Sequence, residues 1–293
     1  MIAETTLGAL AALASALSWA VTSLLVRSLI GELGSFGINA LRSSVGGAIL
    51  LAWVLATGGI GALTAMSAGA FGLLALSIVA AITVGDTVFF ESTRVLGVGR
   101  AMTISMTYPV GAALLAAAFL DEPLTPTLAA GTLLTLGGLT LIVAPWAERA
   151  PDERFWFGVG TATLASLAWA VSIVVLKPPL REVEPVIAQA IRLPLAAATL
   201  WATPWARGAL DGLGRRGRPV LARLAVLSVL TAVSSVLFVA GVKYAGVGVA
   251  AVLSSTAPMF AIPLGFVFFG ERLSRGALLG AGVTIAGIVV LQL

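Results

Sequence analysis

Two arginines, Arg42 and Arg192, lie inside long apolar runs, each about two helical turns from the start of its run. Each follows an amide side chain by three residues, Asn39 and Gln189 respectively, and residues three apart share one face of a helix. An ionised group inside a membrane helix costs at least about 2.5 kcal/mol on insertion scales, so it needs a function or a partner. The four residues therefore predict a site for a substrate carboxylate or phosphate. The alternative is that the arginines extend to the lipid headgroups or pair with an acid.

Asp86 is an acid well inside another apolar run, about 6 Å from the middle of its predicted helix. A desolvated carboxyl group near a cation can take up and release a proton, as a proton-coupled carrier requires. A fixed ion pair with Arg42 on the preceding helix is the structural alternative. The other acid of this run, Glu91, precedes Arg94 by three residues, which predicts an intrahelical pair near the surface. We therefore take Asp86 as the candidate for proton coupling.

Pairs of tryptophans and prolines also stand at corresponding places in the chain. Trp19 and Trp169 fall near the middle of their runs, where they either stack on a substrate or fill the core. Pro109 and Pro258 interrupt two further runs and free the carbonyl groups four residues earlier, which predicts a kink that either gates a pathway or only packs helices. Polar residues just before the prolines are further substrate-binding candidates: Tyr108, Ser254 and Thr256.

The composition places these residues in a membrane. Of 293 residues, 59% are hydrophobic and 10% are charged, against about 45–50% and about 25% in a soluble domain. Ten runs of about 20 residues predict ten transmembrane helices, over about 5–29, 35–56, 68–95, 99–120, 125–146, 155–177, 184–205, 220–243, 247–269 and 274–292. There is no Cys and no His, which excludes thiolate and imidazole metal sites and catalysis by a Cys or a Ser–His pair. We expect no metal, no cofactor and no enzymatic activity.

The sequence also contains an internal repeat. Asn39–Arg42 matches Gln189–Arg192 and Trp19 matches Trp169 at an offset of 150 residues, and after a slip of one residue the match continues at 149, where Pro109 falls on Pro258. Residues 1–147 and 155–293 form the two predicted repeats, joined by the charged loop 148–154. Because each repeat holds an odd number of helices, the second enters the membrane inverted. The predicted fold is an all-α polytopic membrane protein of two inverted five-helix repeats.

The distribution of basic residues predicts an orientation. Twelve Lys and Arg residues near helix ends fall on the side of the odd-numbered loops and three on the other side. The positive-inside rule then puts the odd-numbered loops in the cytoplasm and both termini outside. Since the net charge of +4 lies between apolar runs, we expect it to orient the chain in the bilayer and not to bind nucleic acid. The short turns with Glu122 and Glu271 are expected to cap the helices that follow them.

Several motifs carry a family resemblance. They are Lys243–Gly248, Ser254–Pro258 and Gly270–Leu273 before a Gly-rich last helix, with a weaker first-half copy from Arg94 through Pro109 to Glu122–Leu124. In combination they resemble the ten-helix drug/metabolite transporter superfamily, in particular the EamA-like exporters of bacteria. The resemblance covers nearly the whole chain. It implies movement of small metabolites, linked to protons or to exchange, through a central cavity in the cytoplasmic membrane.

We interpret the chain as a secondary active exporter of amino acids or similar metabolites, working by alternating access in the lipid bilayer as a monomer or homodimer. A drug exporter or a carrier of sugar phosphates or nucleotide sugars is the alternative within the superfamily, although a phosphorylated cargo calls for more Lys and Arg. A membrane-embedded enzyme would need a cluster of acids, His or Cys at one depth. A passive pore would need rings of charges or carbonyls around an axis.

Overall fold

The protein folds into helices throughout the part that can be described, with no strand there. The structure, a computed structural model, describes residues 2–143, 153–211, 213, 217–257, 259–260, 264 and 275–291. The first helix, Ile2–Ala56, is broken at Gly34, where φ is 67° and ψ is 167°, into α1 (residues 2–33) and α2 (residues 35–56). The other main helices are α3 (Ala68–Leu96), α4 (Val98–Ser105), α5 (Tyr108–Phe119), α6 (Pro126–Val143), α7 (Glu153–Leu176), α8 (Pro185–Trp201), α9 (Arg218–Ala245), α10 (Val247–Ser254) and α11 (Arg275–Val290).

The helices agree with a polytopic membrane protein, as the sequence predicted. By length and composition, four of the described helices can cross a bilayer: Ala3–Ala56, Ala68–Leu96, Arg154–Arg181 and Arg218–Ala245. The first of these turns back at Gly34, and only glycine adopts its positive φ without strain. The described helices follow the predicted spans closely, but the count of ten stays a prediction. Of the predicted inter-repeat loop, residues 148–152 lie outside the described part of the chain.

One end of the bundle gathers the connections after α2, α5, α7 and α9. Glu182, after α7, accepts hydrogen bonds of 2.9 Å from both the amide and the hydroxyl group of Ser67, which precedes α3. Glu122, after α5, accepts hydrogen bonds of 3.0 and 3.1 Å from the amide of Val247, at the start of α10. Because these connections alternate along the chain with those at the opposite end, the helices run up and down in turn.

The opposite end gathers the connections after α1, α3 and α8. The hydroxyl group of Ser35 donates to Glu91 near the end of α3, at 2.6 Å. Phe36 packs on Trp205, which follows α8, with ring centres 5.0 Å apart. Arg94 donates to Glu91 at 2.8 Å, so the predicted intrahelical pair is confirmed. The two ends thus carry the two alternating sets of connections that antiparallel membrane helices require.

The region around Pro109 is more than the predicted kink. The helix stops at Ser105, residues 106–107 form a turn, and α5 begins at Tyr108 with Pro109 in its first turn. Proline fits there because the first turn of a helix needs no amide donor. A matching turn follows Ser254 at the end of α10, while the predicted gating residue Pro258 lies outside the described residues. Each half of the chain therefore has a helix break at the polar segment before its proline.

A reciprocal crossing joins α6 and α11. A Cβ atom added to Gly138 would lie 2.4 Å from Oγ1 of Thr284, and one added to Gly287 would lie 2.4 Å from Oγ1 of Thr135. Positions 135 and 284, like 138 and 287, are separated by the repeat offset of 149. In the first contact the glycine comes from α6 and the threonine from α11, and in the second contact the equivalent residues have changed helices. A twofold axis between two related helices produces this pattern. Glycine allows the two backbones to approach this closely.

We expect Gly138→Ala to destabilise the protein by about 1–3 kcal/mol, because the added methyl group would overlap the backbone of α11. The matched control is Gly137→Ala, since no atom lies within 4 Å of a Cβ atom at that neighbouring position. Thermal unfolding of the purified variants in detergent measures the difference. Equal unfolding temperatures for the two variants would contradict the close crossing.

Candidate functional site

A cavity of about 140 Å³ lies between the two halves of the chain, with walls from α1–α3, α5 and α7–α10. Many of the residues singled out from the sequence line it, namely Trp19, Arg42, Asp86, Tyr108, Trp169, Gln189, Arg192 and Ser254. Its apolar wall comes mainly from Ile78, Ala81, Ile82, Met106 and Phe238. The structure therefore brings ionised, aromatic and apolar side chains from both repeats to one cavity.

Asp86 is held by groups from both halves. Arg42 on α2 donates to Oδ2 of Asp86 through Nη2, and Trp169 on α7 donates to Oδ1 through its indole nitrogen at 2.9 Å. Residues 79–86 of α3 form a π-helical segment that ends at Asp86, and such widened turns are frequent at functional sites. Asp86 thus links the two repeats across the cavity. The ion pair with Arg42, one of the two readings of the sequence, is present.

Arg42 is fixed by further hydrogen bonds. Its Nε donates to the amide oxygen of Asn39 at 2.8 Å, and Nη1 approaches the hydroxyl group of Thr231 on α9 at 3.4 Å. Asn39 is buried and does not line the cavity; its amide nitrogen donates to Thr87 at 3.0 Å. Arg42 and Asn39 thus share one face of α2, as their spacing predicted, and Asn39 lies behind the cavity wall as a support for the arginine.

Arg192 is arranged differently. Its side chain is buried, Nη1 donates to the amide oxygen of Gln189 at 2.7 Å, and Nε donates to the hydroxyl group of Ser77 at 3.0 Å. Within the described ranges, no carboxylate forms an ion pair with Arg192. Because Arg42 is neutralised by Asp86, the ionised groups of the cavity wall sum to one positive charge, which Arg192 carries.

An aromatic cluster surrounds these charges. The rings of Trp19 and Trp169 meet edge to face with centres 6.4 Å apart, and Tyr108 meets Trp169 in the same manner at 5.9 Å. The Arg42 guanidinium lies 5.6 Å from the centre of the Trp19 ring and 5.7 Å from that of Phe90, within cation–π range. The hydroxyl group of Tyr108 donates to the Ala251 carbonyl of α10 at 2.9 Å. The cluster therefore connects both helix breaks to the cavity.

Besides Asn39, two more of the predicted residues do not reach the cavity. The hydroxyl group of Thr256 is buried and donates to the carbonyl of Leu253 at 2.7 Å, within its own turn. Pro109 is buried in the first turn of α5 and is not part of the wall. Both residues belong to the helix breaks and not to the cavity surface.

One polar face of α9 lines the cavity and was not predicted from the sequence; it is formed by Thr231, Ser234 and Ser235. The side chain of Ser234 lies 3.3 Å from that of Ser15 on α1, across the cavity wall. The helical spacing of these residues was a usable signal, because residues three or four apart share a face. Serine and threonine are so common in membrane helices that this signal carried little weight without the charges beside it.

Glu122 corrects another expectation. Its carboxylate does not cap α6, which follows it; Thr125 takes that role by accepting from the amide of Leu128 at 3.1 Å. Instead Glu122 accepts hydrogen bonds from Val247 and Gly248, at the N-terminus of α10 in the other half. A carboxylate at a helix N-terminus is favourable whichever part of the chain supplies it. Its repeat counterpart Glu271 lies outside the described residues.

A second ionic contact lies at the same end of the bundle. Lys243 donates to Glu184 at 2.7 Å, and the hydroxyl group of Tyr244 donates to the other carboxylate oxygen at 3.0 Å. The hydrogen bond from Lys243 holds the pKa of Glu184 below its usual value. A carboxyl group whose pKa is lower in the folded than in the unfolded state stabilises the fold at pH values above its unfolded-state pKa. This stabilisation is lost as the pH falls through the folded-state pKa. Since the Glu184 side chain is 65% exposed, this contribution is small.

Apolar helices long enough to cross a bilayer surround a charged and partly aromatic cavity, which is the architecture of a multi-pass membrane protein. The chain belongs to the EamA-like transporter family, whose model matches residues 6–144 and again residues 156–293. The family is one of transporters, in agreement with the transporter, and not an enzyme, that the sequence predicted.

Two of the relatives that the chain resembles are named as transporters, and a solved structure shares its fold. An uncharacterised protein of Pseudomonas aeruginosa is 34% identical over 50% of this chain and 49% of its own length. Two uncharacterised transporters of Archaeoglobus fulgidus are 31% and 26% identical over 54% and 75% of this chain, and 53% and 76% of their own lengths. The chain thus spans about half the length of the first two relatives. A crystal structure with 21% sequence identity shares the fold, with a TM-score of 0.80 over 97% of this chain and 94% of the other.

Proposed function

We propose that the protein is a secondary active transporter that exports small carboxylate-bearing metabolites, in particular amino acids, by alternating access. The observation that carries the proposal is the charge of Arg192, which forms no ion pair with a described carboxylate and lies in the wall of an otherwise mainly apolar and aromatic cavity. A buried arginine with free donors is well suited to a carboxylate because its planar fork matches the two oxygens.

The size and lining of the cavity favour a small cargo. Its volume of about 140 Å³ is below the roughly 300–1,000 Å³ of pockets for drug-sized ligands. Two wall residues are cationic, Arg42 and Arg192, and Asp86 already neutralises the first. A nucleotide sugar would bring a larger volume and at least two negative charges. An amino acid places its carboxylate on Arg192 and its side chain against the apolar wall, while aromatic rings attract its ammonium group.

Alternating access is supported by the repeat. The family model matches the chain twice, and α6 and α11 cross through equivalent residues. Two related halves can exchange conformations, so that a cavity between them opens first to one side and then to the other. In this proposal the breaks at Pro109 and at the matching turn after Ser254 act as hinges, because each interrupts a helix beside the cavity.

Proton coupling is proposed for Asp86. Its carboxylate lies in the wall of the cavity and accepts hydrogen bonds from Arg42 and Trp169. A proton on Asp86 would remove the charge that neutralises Arg42, so protonation would alter the charge that the cargo meets. Asp86 can therefore connect proton binding to cargo binding through Arg42.

The direct test is counterflow in liposomes with purified protein and a panel of radiolabelled amino acids, with and without a pH gradient. We expect saturable counterflow of amino acids with apolar side chains, and faster accumulation when a proton gradient is present. Matched liposomes with sugar phosphates and nucleotide sugars test the alternative cargo. Counterflow confined to the phosphorylated compounds would overturn the amino-acid assignment.

The proposed topology places both termini outside a bacterial cytoplasmic membrane. Because the chain has no cysteine, single cysteines can be introduced without removing any. We expect Arg181→Cys, exposed at the end that carries Glu184, to react with an impermeant maleimide added to intact cells. Ser28→Cys, exposed near the opposite end, should react only after the membrane is opened. Labelling of both from outside would contradict a bilayer between them, and the reverse pattern would invert the orientation.

A further inference from the structure

The two repeats differ at one ionised position of the cavity. Arg42 corresponds to Arg192 and Trp19 to Trp169 at the offset of 150, whereas Asp86 corresponds at 149 to the neutral Ser235. These residues all line the cavity. The first repeat therefore supplies an arginine and a carboxylate, and the second supplies an arginine and a hydroxyl group.

The first repeat shows how a carboxylate is held here. One oxygen of Asp86 accepts from Arg42 of the same repeat, and the other accepts from the indole nitrogen of Trp169 of the other repeat, at 2.9 Å. A carboxylate in this arrangement has one charged donor and one neutral donor, each directed at a different oxygen.

The equivalent donors of the second repeat have no such acceptor. Arg192 forms no ion pair with a described carboxylate, and the indole nitrogen of Trp19 has no hydrogen-bond acceptor within the described chain. The hydroxyl group of Ser235 donates to the carbonyl of Ala232 in its own helix, at 2.9 Å. The arginine and tryptophan that would hold a carboxylate are thus present, and the carboxylate is missing.

We propose that the carboxylate of the cargo takes the place in the second repeat that Asp86 takes in the first. It lies beside Ser235, with one oxygen toward Arg192 and the other toward the indole of Trp19. The inference rests on the proposed function, and it names the chemical class that the site selects: a monocarboxylate with an apolar side chain, whether or not it carries an amine. With either cargo the cavity then contains two arginine–carboxylate pairs, and a carboxylate without an amine leaves it electrically balanced, which lowers the cost of a charged cargo in the bilayer.

The first test measures the binding of three probes to the purified protein in detergent by isothermal titration calorimetry. The probes share one side chain: leucine, 4-methylpentanoate, which lacks the amine, and 3-methylbutylamine, which lacks the carboxylate. We expect both carboxylates to bind and the amine to bind at least about 30-fold more weakly, as expected for loss of a charge-assisted pair. Failure of both carboxylates to bind, or equal binding of the amine, would overturn the inference.

The second test fills the proposed place with the protein's own carboxylate. We expect Ser235→Asp to weaken binding of 4-methylpentanoate at least about 30-fold, because the new side chain occupies the donors of Arg192 and Trp19. The Ser235→Asn side chain has the shape of aspartate without its charge. We therefore expect Ser235→Asn to weaken binding of 4-methylpentanoate several-fold less than Ser235→Asp does. The exchange variant Asp86→Ser/Ser235→Asp moves the vacancy to Arg42 and Trp169 and should recover most of the lost affinity.

The variants also separate this inference from the transport proposal. Size-exclusion chromatography establishes that each variant is folded, and the exchange variant keeps the number of acids in the cavity constant. Wild-type affinity of the Ser235→Asp variant would overturn the inference even if liposomes show amino-acid transport. Carboxylate binding that responds to Ser235→Asp, without any counterflow in liposomes, would reject the transport proposal and leave the binding site in place.

Discussion

Replacing Arg192 with glutamine is expected to slow amino-acid counterflow by about a hundred-fold while the protein remains folded. Losing one partner of a buried, hydrogen-bonded charge pair costs about 2–5 kcal/mol, and each ~1.4 kcal/mol is a factor of ten. The free protein has no described carboxylate paired with Arg192, so its removal leaves no buried acid without a partner. The loss should therefore affect the loaded state much more than the folded state.

The measurement compares initial counterflow rates at equal amounts of protein in the liposomes. Arg181→Gln is the control, because this arginine is exposed at one end of the bundle and is not part of the cavity wall. Arg192→Lys keeps the charge without the planar fork, and we expect it to retain part of the activity. Normal counterflow by Arg192→Gln at normal protein levels would remove Arg192 from the binding site.

The second large effect is expected from Asp86→Asn. This change should abolish transport driven by a pH gradient while exchange of cargo across the membrane continues, because asparagine keeps the shape of the side chain and cannot take up the proton. The amide oxygen can still accept one hydrogen bond, but Arg42 loses its counter-charge. Breaking a buried ion pair in this way costs about 3–5 kcal/mol, so a lower unfolding temperature is expected as well.

Two controls separate coupling from stability. Glu91→Gln removes an acid of the same helix that pairs with Arg94 near the surface, and it should leave driven transport intact. The double variant Arg42→Gln/Asp86→Asn removes both charges and should regain stability without regaining gradient-driven accumulation. Unchanged driven flux in Asp86→Asn would show that Asp86 serves only as the partner of Arg42.

Contacts between near neighbours in the chain were predictable from the sequence. The pairs Arg42–Asn39 and Arg192–Gln189 follow from a separation of three residues, and so does the pair of Glu91 and Arg94. The break before Pro109 follows from the chemistry of proline, although the sequence suggested a kink and the helix stops completely. Such features depend on the local backbone, which the sequence specifies directly.

Contacts between distant segments were decided by the tertiary structure. Glu122 caps α10 and not the helix after it, because the fold brings the connection after α5 beside the start of α10. The hydrogen bond from Trp169 to Asp86 joins residues 83 positions apart, and no local pattern predicts it.

By itself, the sequence determined the membrane environment, the repeat and the charged and aromatic residues within the spans, since composition, offset and helical period depend on residue order alone. It left two readings of Asp86 and gave Arg42 and Arg192 the same role. Only the packed helices distinguish the two arginines, because the side chains of other helices decide whether each guanidinium has a carboxylate partner. Asp86 forms an ion pair with Arg42, and no described carboxylate forms one with Arg192.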